Sequence, residues 1–114
     1  MNALRNSVRL IGHVGDAPKM IQLEKGRKIA NFSVATNETY LDSQGNRKSE
    51  TTWHRLVAYG PMANTAEKYL QKGVEVAIEG KLTNRSWDDK EGQKHYITEI
   101  VVNQMMVVGS KSEL

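Results

Sequence analysis

The stretch TTWHRLVAYGP, residues 51–61, alternates as far as Tyr59 and stops alternating at Pro61. Successive side chains of a strand point to opposite faces. Trp53, Arg55, Val57 and Tyr59 therefore share one face, and Thr52, His54, Leu56 and Ala58 the other. Pro61 suits the first turn of a helix, and behind it Met62, Ala66, Tyr69 and Leu70 recur at helical spacing along one face. Gly73 is expected to close that helix as its C-terminal cap. A strand hands over to a helix at this point, and the rest of the chain is read outward from it.

Upstream the period is two. Val8 to Val14 sets Val8, Leu10, Gly12 and Val14 against Arg9, Ile11 and His13. Met20 to Leu23 is a short apolar patch before the turn EKGRK. Ile29 to Tyr40 is rich in β-branched and aromatic residues, which favour a long strand. It is joined by the loop DSQGN, 42–46, to the strand Arg47 to Tyr59, so the two form a hairpin whose tip projects beyond the core. Downstream, Val74 to Trp87 alternates again with Val74, Val76, Ile78 and Leu82 on one side. DDKEGQ is a turn and His95 to Val108 a last strand.

Three strands, a helix and two strands is the order of the OB-fold, an all-β, partly open five-stranded Greek-key barrel with a helix between strands three and four. Residues 1–108 form this domain, and 109–114 (GSKSEL) read as a short flexible stub.

The chain has 114 residues, enough for one core but not two. With 39% apolar and 25% charged residues it has the composition of a globular domain. Sixteen Lys and Arg against thirteen Asp and Glu leave a net charge of +3, mild enough to permit a polyanionic partner without demanding one. The absence of cysteine removes disulfides, thiolate catalysis and Cys-based zinc sites. No apolar run is long enough for a membrane span, and MNALRNSVRLIGHV lacks the form of a signal peptide, so a cytoplasmic location is expected.

Reaction chemistry finds little support. His13, His54 and His95 are scattered, without metal-ligand spacing. Gly12-His-Val-Gly15 is followed by no helix to hold a phosphate, and a glycine pair at a barrel bend is the better reading. Asp88 and Asp89 belong to a solvated turn. With no nucleophile–base pair, metal or cofactor to assign, a non-enzymatic role is expected.

The aromatic residues carry more. Trp53 and Tyr59 share a face with Arg55, while Lys81, Arg85 and Trp87 share one phase of the later strand. Tyr40 sits at the far end of its strand, beyond reach of the core. Flat exposed rings interleaved with cations suit an unpaired nucleic acid strand: each stacked base contributes about 1–3 kcal/mol, and any base will stack. Phe32 and Tyr69 are assigned to the core instead, Tyr69 because it lies on the helix's apolar face. His54 points away from Arg55 and is read as a packing or interface residue.

The segments NSVRLIGHVGDAP (6–18), IANFSVATNE (29–38), TTWHRLVAYG (51–60) and AEKYLQKGVEVAIEGKL (66–82), with Trp87, Gly92 and Tyr96 beyond them, closely resemble the bacterial-type and mitochondrial single-stranded DNA-binding protein family. The resemblance covers nearly the whole chain in order. It implies an OB-fold assembled as a homotetramer, with single-stranded DNA wrapped outside it and no sequence reading, serving replication, recombination and repair. The family's stacking positions fall on Tyr40, Trp53, Tyr59 and Trp87. Its basic contacts fall on Arg55, Lys72 and Arg85, with Arg5 and Arg9 near the amino terminus, and its subunit-interface histidine falls on His54. A nucleoid-associated location follows.

Relatives in that family commonly continue into a Gly/Pro-rich linker and an acidic tip that recruits other proteins. The expectation here is either a core fragment or a naturally short member without that tip, to which partner recruitment is not carried over. Two other OB-fold roles compete: a primosome-type adaptor that mainly bridges proteins, and an RNA-binding module.

Overall fold

A computed structural model describes residues 4–109. The strands are β1 (Val8–Val14), β2 (Lys19–Gln22), β3 (Lys28–Leu41), β4 (Arg47–Tyr59), β5 (Glu75–Asp88) and β6 (Lys94–Gly109), with one helix, α1 (Pro61–Tyr69), between β4 and β5. The hydrogen-bonded order is β1-β5-β6-β4-β3-β2, and a further pairing of β1 with β3 closes β1, β5, β6, β4 and β3 into a ring. All pairs are antiparallel except β4 with β6, where Leu56 meets Ile100. This is the expected five-stranded OB-fold topology.

The barrel is closed rather than partly open. His13 and Val14 of β1 pair with Ala35 and Val34 of β3. Gly12 makes this approach feasible, since a Cβ there would run into the Ala35 carbonyl oxygen. Gly80 plays the same part on β5, against the Val101 carbonyl, beside a register shift between Glu79 and Gly80. The apolar patch around Met20 becomes β2, a sixth strand laid along β3 outside the ring. The last strand runs one residue past the expected domain boundary, to Gly109, and the rest of the proposed stub lies outside the described residues.

One phase of each strand fills the core. Val14, Ala30, Phe32, Val34, Leu56, Ala58, Val76, Ile78, Ile100 and Val102 are buried, together with Ala63, Ala66 and Leu70 from the helix segment. Pro61 begins the helix as expected, with the Gly60 carbonyl accepting from the Ala63 and Asn64 amides. The far end differs. The helix stops at Tyr69, and Leu70 takes extended dihedrals and drops into the core. Gly73 (φ 89°) is not the helix cap: it belongs to the following turn, and its amide donates to the Val14 carbonyl.

That early ending also corrects the assignment of Tyr69, which is 52% exposed. The packed helical face is Ala63 and Ala66, continued by Leu70, and the phenol lies outside it. Leu82 keeps the phase of Val76 and Ile78 but is exposed, because β5 has by then risen beyond the barrel. From there the β5–β6 hairpin projects like the β3–β4 hairpin, and the molecule measures 55 × 37 × 34 Å.

Candidate functional site

The outer face of β3, β4, β6 and β5 carries the aromatic row. On β4, Trp53, Arg55 and Tyr59 reach the surface. Val57, in the same phase, is buried where Asn31 of β3 and Val101 of β6 flank it. Val101 in turn pairs with Lys81 of β5, so one straight line crosses four strands from Asn31 to Lys81. This register sets Lys81, Arg85 and Trp87 on the same outer face as Trp53, Arg55 and Tyr59. The co-phasing expected from the sequence is therefore a single surface.

Between Arg55 and Arg85 runs a groove of about 400 Å³, also walled by Asp16, Lys19 and Glu99. The Trp53 indole lies over Gly15 at one side of this region. A methyl group on Gly15 would stand 2.6 Å from Cζ3 of the indole and 2.8 Å from Ser33 Oγ. Gly15 thus makes room for the ring as well as turning the chain, and its amide donates to the Ser33 carbonyl at 3.0 Å.

Trp87 is held differently. Its ring stacks on His95, directly across the hairpin, with centroids 5.4 Å apart and planes 20° from parallel. The Arg85 guanidinium lies 5.5 Å from the Trp87 ring centre. Arg85 also donates to both oxygens of Glu99, from Nε at 3.2 Å and from Nη2 at 3.4 Å. At the other end, His95 Nε2 meets Asp89 Oδ2 at 2.7 Å. The result is a chain of carboxylate, guanidinium, indole, imidazole and carboxylate along one hairpin. The His95 hydrogen bond, helped by the Gln93 amide, holds the Asp89 carboxyl below its ordinary value.

The remaining sequence candidates are dispersed. Tyr40 is exposed opposite Lys48, but it has the phase of His54 and so leaves the other side of the hairpin from Trp53. Lys72 lies in the turn that Gly73 ties to Val14, next to the Gly15 seat. Arg5 precedes Asn6, whose side-chain Nδ2 donates to the Leu82 carbonyl and whose side-chain Oδ1 accepts from the Leu82 amide. Arg9 falls elsewhere: its Nε is bonded to Glu79 at 3.1 Å, and it borders a groove with Ile11, Ala77 and Met106 on the β1-β5-β6 face. His54 is half-buried and bonded to Thr36 Oγ1 at 2.9 Å.

His95, Glu99 and Gly15 escaped the sequence reading as site residues. The signal for His95 was available only with a shorter turn: Asp88 pairs with Lys94, so the loop is Asp89–Gln93 and the next pair outward is Trp87 with His95. Glu99 had no such signal, since nothing local shows that an acid in a strand will be buried beneath an arginine. Among the described residues, no three His, Asp or Glu side chains gather as a metal ion would require. No helix among them is long and apolar enough to cross a membrane.

Comparison with known proteins bears on this surface. The family model described as the single-strand binding protein family matches residues 5–108. The single-stranded DNA-binding protein 1 of Chlorobaculum tepidum is 48% identical over 107 residues, covering 93% of this chain and 66% of that protein. The protein of the same name from Xylella fastidiosa is 38% identical over 109 residues, covering 95% of this chain and 80% of its own. Among solved structures, a Plasmodium falciparum SSB complex with ssDNA superposes with a TM-score of 0.80 at 38% identity, covering 93% of this chain and 95% of that one. A deletion mutant of the Thermus aquaticus single-stranded DNA binding protein gives a TM-score of 0.78 at 24% identity, covering 90% of this chain and 50% of that one, a likeness of fold.

Proposed function

This chain belongs to the single-strand binding protein family, and we propose that it binds single-stranded DNA without reading its sequence, protecting it during replication, recombination and repair. The observation that carries this reading is one outer barrel face with Trp53 beside Arg55, Trp87 beside Arg85, and a groove between the two arginines. Cations draw in the phosphate backbone, and the indoles and the Tyr59 phenol stack unpaired bases. Tyr40, Lys72, Lys81 and Arg5 extend the contact from the hairpin and the barrel's ends. A duplex cannot use the rings because its bases are already stacked on each other. The ssDNA complex of the 38% identical relative supports the choice of ligand.

Self-assembly is part of the same proposal. The β1-β5-β6 face carries a crosswise apolar row, Ile11, Ala77 and Met106, of which Ile11 and Met106 are well exposed. Among the described residues, no strand pairs with the outer edge of Val8–Ile11. A second copy would cover both, and four copies, the family's expected homotetramer, would give one strand of DNA a continuous path. Arg9 then belongs to this face rather than to the DNA face, and His54 remains a proposed interface residue. The working location is the cytoplasm, on the nucleoid.

Titration with oligo-dT at low salt should quench the tryptophan fluorescence, and added salt should weaken binding with a log–log slope of roughly −0.7 per phosphate contact. No quenching by a protein that circular dichroism shows to be folded would remove the reading. Side-by-side titration with oligo-U separates DNA from RNA preference, and light scattering counts the copies.

A further inference from the structure

Two arginines face the same groove in opposite electrostatic states. Arg55 has no carboxylate within ion-pair distance among the described residues. Arg85 is gripped by Glu99 through two of its nitrogens, at 3.2 and 3.4 Å, and the Glu99 side chain is only 6% exposed. We propose that Glu99 is a positioning residue that withdraws Arg85 from phosphate binding and turns it into a stacking surface, so that this end of the groove takes nucleobases. The inference rests on the DNA-binding reading above and deepens it.

A phosphate that captured Arg85 would have to leave the Glu99 carboxylate buried without a partner. Stranding a buried charge costs more than a solvent-screened contact returns. Arg85 therefore stays with Glu99 when DNA arrives. In that position its charge is already neutralised, and its guanidinium lies beside the Trp87 ring. What it still presents is a flat, weakly hydrated plane, which stacks on bases as well as on aromatics. The groove as a whole agrees: Lys19, Arg55 and Arg85 face Asp16 and Glu99, three cations against two acids, a net of only +1. A near-neutral channel with a stacking plane and an indole at one end suits bases better than backbone.

Counterion release distinguishes the two roles, because only an arginine whose charge is free to meet a phosphate adds to the salt slope. Oligo-dT affinity is measured from 50 to 400 mM salt, a range of about eightfold over which slopes resolve, for the wild type and three variants. Arg55→Gln should flatten the slope by roughly 0.7, one phosphate contact. Glu99→Gln should steepen it by roughly 0.7, because Arg85 is released to bind phosphate. The double variant Arg85→Gln with Glu99→Gln removes a neutral pair without stranding a charge. It should keep the wild-type slope while binding about two- to fivefold more weakly, the size of one exposed stacking contact. A double variant whose slope flattens as much as that of Arg55→Gln, or a Glu99→Gln protein with an unchanged slope, overturns the proposal. If Glu99→Gln alone does not fold, the double variant against Arg55→Gln still decides. Failure of the wild type to bind oligo-dT at all would instead sink the DNA-binding reading.

Discussion

The β3–β4 and β5–β6 hairpins turn through the same tip. In one, the Asp42 carboxylate accepts from the amides of Gln44 and Asn46 and Gly45 sits at φ 81°; in the other, Asp89 accepts from Glu91 and Gln93 and Gly92 sits at φ 80°. Aspartate caps its own turn two residues on, and glycine supplies the left-handed position three residues after it. Each hairpin also carries an aromatic two residues before that aspartate, Tyr40 or Trp87, facing a basic residue six after it, Lys48 or His95. The tips match, but the aromatics do not behave alike. Trp87 is stacked on His95, flanked by Arg85 and tied through His95 to Asp89. Tyr40 stands opposite Lys48 and makes no ring or cation contact among the described residues. One hairpin offers a ring already held in place; the other offers a ring without such support.

The largest test of this difference is to remove both rings. Holding a side chain in its bound orientation beforehand lowers the entropy cost of binding. Trp87→Ala should therefore weaken oligo-dT binding by about 2–3 kcal/mol, near the top of the range for a base stack, and Tyr40→Ala by only about 1 kcal/mol. Anisotropy of a labelled oligonucleotide measures both, and equal losses would erase the distinction.

A smaller effect comes from loosening the held ring. His95→Ala removes one stacked partner, a loss of about 0.5–1 kcal/mol in affinity. The Trp87 fluorescence should become more mobile, read by time-resolved anisotropy in a Trp53→Phe background. Lys48→Ala, at the equivalent place, should leave the mobility of Tyr40 unchanged.

The smallest is set by pH. The folded Asp89 carboxyl titrates below its ordinary value, first through His95 and then through the Gln93 amide. A depressed carboxylate stabilises the fold above its unfolded pKa and loses that contribution as pH falls through the lowered value. Amide protection at Glu91 and Gln93 should therefore hold down to the ordinary carboxylate range, about 3.9, and fail only below it. Loss of protection already at pH 5 would contradict this, and Asp89→Asn should abolish the transition.

Much of the molecule was legible before any coordinates, and the exceptions share a cause. The long strands and their phases follow from a period of two, and β4 begins and ends at the expected Arg47 and Tyr59. Tyr69 misled because periodicity shows which residues share a face but not where the helix stops, and Leu70 leaves the helix to fill the core. Arg9 and Arg85 look like free cations in the sequence. Each is bonded instead to an acid on a neighbouring strand, Glu79 70 residues away and Glu99 14 residues away.

The sequence by itself determined the order of the long strands and the helix, the turns of both hairpins, and the phase shared within each strand, Trp53 with Arg55 and Arg85 with Trp87. These are local properties, written in alternation and in Asp-x-x-Gly spacing. Only the tertiary structure decided that β1 meets β3 to close the barrel, that Trp53 rests on Gly15, and that Arg85 is paired with the buried Glu99 while Arg55 has no carboxylate within ion-pair distance among the described residues. Those outcomes depend on strand register and on burial, and both arise only when distant segments pack together.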